Sequence, residues 1–338
     1  MSNGSLKLYL ITRLLLVLPM FLILLTLVFI LLRIAPGDPV LAMLGPKAPP
    51  EQIKALRETH GLNRPLPLQY FTYLIGIFTL DLGKSMLNDQ EVSRIIGQSF
   101  GATLELTLMA MFIATGVGIL LGILGGRRRD SPGDVFSRLY GILIYSTPIF
   151  WLGMMFQLIL GVHLKWFPTG GRVTPFLEPH RFTGLYLIDS LLDGNISSFL
   201  SALHHLLLPS LTLGLVISGI FVRMVRSNMI QTMRSDYVEA ARARGIPERL
   251  ILWRYGFKNA LIPVVTVMGL EWALLLGGAV LTETTFTWPG LGTTLLYYLN
   301  NRDYITVQGI ITFFAVNVVI FSLIVDLFNA IIDPRIRY

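Results

Sequence analysis

The chain has 338 residues, 53% of them apolar and 14% charged, against about 25% charged in an ordinary soluble domain. That balance excludes a solvated globular enzyme, and with 31 Gly and 18 Pro near average usage it also excludes a disordered or collagen-like chain. The absence of cysteine excludes a disulfide framework, a thiolate nucleophile and Cys-ligated metal or iron–sulfur sites.

Crossing a bilayer core takes about 20 largely apolar residues. Six runs qualify, at 14–32, 106–126, 139–162, 206–222, 260–280 and 305–325, and they predict an all-α integral membrane protein with six transmembrane helices. The first run is uncharged over its 19 residues and no small-x-small cleavage site follows it, so it is expected to stay as an anchor. The fourth run is short, and its helix is expected to continue past Arg223 and Arg226, whose heads can snorkel. An even number of spans puts both termini on one side. The segments on that side are 1–13, 127–138, 223–259 and 326–338, and they hold 16 of the 27 Lys and Arg in 75 residues. The alternate segments, 33–105, 163–205 and 281–304, hold 11 in 140 residues. The positive-inside rule makes the first set, with both termini, cytoplasmic. Orientation therefore accounts for the net charge of +7, and nucleic-acid binding is not required.

The two long external segments, 33–105 and 163–205, are broken by Gly and Pro and are large enough to carry function as a meeting surface. A short amphipathic helix is expected over 51–60, stopped by Gly61. Gly83-Lys84-Ser85 looks like the end of a phosphate-binding loop, but Phe78 stands where the first glycine would be needed, so no phosphate cradle is expected in this chain. The five histidines lack i, i+4 spacing, and His204 and His205 read as interfacial side chains rather than as metal ligands. Gly118, Gly122 and Gly126, one step on from Ala114, form a small-residue stripe that lets another helix approach closely. Glu271 is the one charge well inside a run, with Glu105 and Glu283 at run margins. Such a carboxylate faces the bundle interior or water, and it serves either the substrate path or a neighbouring helix.

The internal loop 223–259 holds Ser235-Asp236-Tyr237-Val238-Glu239-Ala240-Ala241, followed by Arg242-Ala243-Arg244-Gly245-Ile246-Pro247. Asp236 and Glu239 are spaced as a capping box, and Gly245 with Pro247 stops the helix after about two turns. So short a helix does not persist alone in water and must pack on something. Small Ala240 and Ala241 would let it sit in a partner's groove, with Arg242, Arg244 and Arg249 at the rim. Charge alone allows a second reading, a solvated basic loop.

Glu239-Ala240-Ala241-x-x-x-Gly245 resembles the EAA signature of binding-protein-dependent ABC importer permeases. The continuation Phe257-Lys258-Asn259-Ala260-Leu261-Ile262-Pro263 departs from the general pattern and is similar to the oligopeptide, dipeptide and nickel branch. Also similar to the B-type subunit of that branch are the stretches 33–39, 61–67, 81–85, 102–105 (Ala-Thr-Leu-Glu), 282–292, 301–304, 307–309 and 333–337. The resemblance implies a type I importer permease fold, with 1–98 as the first helix and external segment and 99–333 as the permease domain. It implies a second homologous permease, two cytoplasmic ATPase subunits that carry ATP and Mg, and an external binding protein. This chain would hold no cofactor, and it would couple to the ATPases through Asp236, Glu239, Ala240, Ala241 and Gly245. Di- or oligopeptides are the expected cargo, with nickel, glutathione or another small solute as alternatives, in a bacterial cytoplasmic membrane. The rival outside this class is an ion-coupled secondary transporter using Glu271 as a relay, but no inverted repeat or paired broken helices support it.

Overall fold

In a computed structural model the described residues are 3–34, 39–45 and 48–332. The segments 35–38 and 333–337, which carry part of the first quoted motif and all of the last, lie outside them. All named elements among the described residues are helical. The chain opens with α1 (Asn3–Ile34), and α2 (Pro39–Leu44), α3 (Pro50–Thr59) and α4 (Leu66–Thr79) follow. As expected, α3 stops at His60, with Gly61 at φ +63°.

The centre of the molecule is the pair α5 (Val92–Gly126) and α9 (Ile196–Met233), which share the most extensive helix–helix contact. The glycine stripe makes that contact possible. A Cβ at Gly118, Gly122 or Gly126 would strike Phe221, Val225 or Met229 of α9, and one at Gly214 would strike Ala110 and Ile113 of α5. Both helices run longer than the apolar runs alone suggest. α9 starts at Ile196, capped by the Asn195 side chain, which accepts from Ser198 N at 3.1 Å, and it continues past Arg223 and Arg226. Arg226 does not snorkel. It pairs with Asp134, which is fully buried and also accepts from Asp130 N at 2.9 Å.

The run expected as one span over 139–162 is instead two helices bent by 99°. These are α6 (Pro132–Ser146) and α7 (Ile149–Phe156), and α7 continues as a π-helical stretch, Gln157–His163. The physical reason is the Thr147-Pro148 step. Proline lacks the N–H that would continue the ladder, and it holds Thr147 in the extended region at φ −85°, ψ 123°. α6 lies on α9 through Tyr140 and Ser218, whose hydroxyls are 2.6 Å apart.

The segment between α7 and α9 carries α8 (Tyr186–Leu192). Beyond α9 come α10 (Asp236–Ala243), a single turn α11 (Glu248–Leu250), a second π-helical stretch Ile251–Phe257, and α12 (Lys258–Gly278). The chain then forms α13 (Val280–Thr285), α14 (Leu291–Asn300) and α15 (Tyr304–Ile332), with α1 and α12 packed on α15. Four helical stretches are long and apolar enough to cross a membrane, namely Leu15–Arg33 of α1, Val92–Gly126, Ile196–Met233 and Tyr304–Leu327 of α15, and the bent α6–α7 pair raises the number to five. The expected fifth run is helical as α12, part of whose side chains lie outside those described.

Filling the α5–α9 contact should disrupt it. Gly122→Leu places a side chain against Val225 and the backbone of Arg226, and overpacking of this kind typically costs about 1–3 kcal/mol. The expected outcome is a lowered Tm and loss of monodisperse protein after detergent extraction. Gly116→Leu, at an α5 position with open space, should behave as wild type.

Candidate functional site

The loop 223–259 is built from its helix ends. Ser235, rather than Asp236, is the N-cap of α10, with φ −78° and ψ 151°. Its hydroxyl donates back to Thr232 O at 2.6 Å, so the capping box expected from Asp236 and Glu239 does not form. Ser235 and Asp236 are both good cap formers, and the one-residue difference is decided by where α9 ends. Asp236 therefore sits at the first helical position, where a carboxylate still complements the helix dipole. The other end matches the expectation. Gly245 takes φ +75°, its N–H reaches Arg242 O at 2.9 Å, and Ile246 N–H reaches Ala241 O at 3.2 Å, the double bond of a Schellman stop.

Packing divides the loop's residues into two sets. Val238 and Ala241 turn inward and are buried with Ile251 in the main hydrophobic cluster. Ala241 is therefore not available to a partner's groove, contrary to the reading from its size alone. Asp236, Tyr237, Glu239, Ala240, Arg244, Gly245 and Arg249 are exposed. Arg242 spends its charge within the loop, with Nε donating to Glu248 Oε1 at 2.7 Å. A Cβ on Gly245 would meet nothing within 4 Å, so the space beside it is open in this chain. Glu271 lies apart from this loop. It is half-buried on α12 and makes no hydrogen bond or ion pair with any described residue.

The opposite end of α5 carries the buried polar groups that sequence reading left at run margins. Glu283 accepts from Thr103 Oγ1 at 2.6 Å, Gly292 N at 2.7 Å and Thr293 N at 3.0 Å. A Cβ on Gly290 or Gly292 would run into that carboxylate, which explains both glycines of Trp288-Pro289-Gly290-Leu291-Gly292. Trp288 Nε1 donates to Ala102 O at 2.8 Å. Glu105 pairs with Arg172 at 2.6 Å, both nearly inaccessible, and accepts from Leu187 N at 2.8 Å. Asp303 accepts from Ser85 Oγ at 2.5 Å and from Thr306 Oγ1 at 2.9 Å. The stretch 81–85 thus meets 301–304 through Asp303, and 102–105 meets 282–292 through Glu283 and Trp288. The signal available in sequence was the presence of Glu105, Glu283 and Asp303 in those motifs. Their partners in distant parts of the chain, 67 to 218 residues away, carry no spacing rule.

Two family models match the chain. The binding-protein-dependent transport system inner membrane component covers residues 118–338, and the N-terminal component of the same transport systems covers 6–107. The chain belongs to this family of membrane transport permeases. A dipeptide transport system permease of Alkalihalophilus pseudofirmus is 38% identical over 330 residues, covering 98% of this chain and 99% of the relative. A dipeptide permease of Escherichia coli K12 is 39% identical over 334 residues, 98% of each chain. A glutathione transport system permease of Pectobacterium atrosepticum is 35% identical over 330 residues, 98% of this chain and 99% of the relative. The family is a transport family and not an enzyme family. With the apolar helices it makes the chain a multi-pass membrane protein, and its members work within ABC importer complexes.

The segment 163–205 is fixed by Asp189, whose carboxylate accepts from Thr183 N at 2.8 Å, Thr183 Oγ1 at 2.7 Å and Gly184 N at 2.9 Å. Burial pushes this carboxyl up, but the Thr183 and Gly184 donors outweigh it and hold it below its ordinary 3.8. A depressed carboxylate contributes stability that is fully present above its unfolded value and is lost as pH falls through the folded one. Amide exchange at Thr183 and Gly184, corrected for intrinsic pH dependence, should therefore stay slow down to about pH 4 and rise below it. Asp189→Asn sets an amide N–H against one of the N–H donors and should weaken the clamp by about 1–3 kcal/mol at neutral pH. Trypsin should then cleave faster after exposed Arg181.

Proposed function

We propose that the chain is one membrane-spanning subunit of an ATP-driven importer of di- and oligopeptides in a bacterial cytoplasmic membrane. It pairs with a second, homologous permease. Two cytoplasmic ATPase subunits bind ATP and Mg beneath the pair, and an external binding protein delivers the cargo. Near full-length similarity to dipeptide permeases carries this reading, and the glutathione relative falls within the same cargo class because glutathione is itself a short peptide.

In this reading the chain crosses six times, through α1, α5, the bent α6–α7 pair, α9, α12 and α15, with both termini cytoplasmic. Residues 1–98 form the first helix and external segment, and 99–333 form the permease domain. The exposed face of α10 docks on an ATPase. Tyr237 and Ala240 supply contact area, Asp236 and Glu239 supply negative charge at the helix start, and Gly245 lets the chain leave without bulk. Ala241 serves from inside, seating α10 on Ile251. ATP-driven closure of the ATPases displaces α10, and the bundle rocks between inward and outward opening.

Uptake of labelled dialanine tests both the function and the coupling role. Cells lacking the chain should lose ATP-dependent uptake, and the wild-type chain should restore it. Gly245→Asp puts a side chain at φ +75° at a cost of about 1 kcal/mol or more and adds bulk beside the docking face. It should reach the membrane at normal levels yet lose transport and ATPase association. Glu239→Lys should act similarly through reversed charge alone. Full transport by both variants at normal levels would remove the loop from the coupling.

Orientation has its own test, helped by the lack of native cysteine. Single cysteines at 90 and 180 should react with an impermeant maleimide from outside only, and those at 130 and 245 from inside only. Labelling at 130 from outside would reverse the topology.

A further inference from the structure

A cavity of about 500 Å³ opens where the end of α1, the α3–α4 turn, the turn after α4 and the start of α15 converge. It lies near Val92, because Gly309 on its wall packs against that residue at the first turn of α5, whereas Gly126 at the last turn packs beside the coupling loop. The 35 residues of α5 put about 50 Å between the two. Its wall is shaped for space. A Cβ on Gly76 would collide with the Asp81 carbonyl, and Gly83 takes φ +83° to turn the chain back.

Three cations, Arg33, Arg64 and Lys84, and three carboxylates, Glu58, Asp81 and Asp89, line this cavity. Among the described residues none of the six forms an ion pair with another of the six. Glu58 reaches only exposed Lys54, at 4.0 Å, and Asp81 accepts from Gly83 N at 3.1 Å. His60, also on the wall, is held below its ordinary 6.5 by burial, against the opposing pull of Asp303 and Asp89, so it adds no charge at neutral pH. Two amides add neutral groups of both kinds. Gln308 is buried, and its Nε2 makes no well-aligned hydrogen bond, the side chain interacting only loosely with Tyr73. Gln69 is held by its Nε2 on Leu62 O and Arg64 O, which leaves Oε1 as a free buried acceptor. Arg33 Nε is a third buried polar atom without a partner.

A cavity whose wall carries three cations and three carboxylates with no ion pair among the six, together with two buried amides, favours a ligand carrying both signs. A pure anion would leave the carboxylates facing it, and a pure cation would leave the guanidinium and ammonium groups facing it. The volume lies within the roughly 300–1,000 Å³ of small-molecule pockets. We propose that this cavity is a binding site on the permease itself for a small zwitterion bearing a free ammonium and a free carboxylate, a short peptide. The cations and Gln308 take the carboxylate, and the carboxylates and Gln69 take the ammonium. Identifying the zwitterion with transported cargo rests on the peptide reading above, whereas the existence of the site does not.

The test uses the full-length chain in lipid nanodiscs without a binding protein, titrated with labelled L-alanyl-L-alanine, its N-acetyl derivative and its C-terminal amide. Dialanine should bind saturably, and each blocked form at least about ten-fold more weakly, because it leaves charged groups of the wall unmatched. Arg64 and Asp89 are exposed, so their replacement should spare the fold. Asp89 sits at φ +56°, which asparagine also adopts readily. Arg64→Gln should narrow the discrimination against the amide, and Asp89→Asn the discrimination against the N-acetyl form. Absence of saturable binding to monodisperse wild type, equal binding of all three ligands, or wild-type discrimination in both variants would overturn the site. Cells that import dialanine while the nanodisc chain binds none would sink this inference alone. Binding without any dependence of dialanine uptake on the chain would sink the transport reading alone.

Discussion

Glycine at 118, 122 and 126 brings the backbone of α5 against α9 at a distance no side chain would permit, and the rest of the molecule is arranged around that contact. In lipid there is no hydrophobic force between helices, so association depends on dispersion between closely approaching backbones. The two helices thereby fix each other along most of their length. The first turns of α6 are tied to the same pair, because Ser137 Oγ donates to Leu121 O at 2.7 Å and Arg226 neutralises buried Asp134. Motion at one end of α5 is therefore motion of a body that includes α6 and α9.

The other end of that body is held by charge. Glu105, Glu283, Asp303 and Asp189 are all buried, and each is satisfied by named donors rather than by bulk water. Removing one partner strands a buried charge, a change that is strongly destabilising, so these loops keep a single arrangement. This rigidity gives the long segments 33–105 and 163–205 a fixed surface, although their helices are short and joined by irregular turns. It also supports the cavity wall, since Asp303 holds Ser85 immediately after Lys84.

How much could be read from sequence depended on how local each cause was. The glycine stripe was legible because its period of four matches a helix face, and Gly61 and Gly245 were legible because each ends a helix by the left-handed conformation that only its own residue must adopt. The break at Thr147-Pro148 was missed because the apolar residues on either side outweigh Ser146 and Thr147, although the proline was in view. The cap of α10 was placed one residue late, since Ser235 and Asp236 are both competent and the end of α9 decides between them. The roles of Glu105 and Glu283 were out of reach. Their partners are set by tertiary folding, and motif spacing said where the residues stood without saying what they held.

Packing at the loop end suggests how a displacement of α10 would travel in the proposed coupling. With eight residues, α10 draws its stability from its seat on Ile251, so a push on its outer face meets the π-helical stretch Ile251–Phe257 first. That stretch lies against the end of α9 at Gly256, where a Cβ would meet Met233 and Met229. Met229 is also the residue that Gly126 of α5 packs against. One buried methionine is thus the common neighbour of the π-helical stretch and the last turn of α5. A shift of α10 reaches the α5–α9 pair through this side chain as well as along the chain into α12. Methionine has the rotatable bonds to follow such a shift without opening a void, whereas a β-branched residue there would hold the contact in one register.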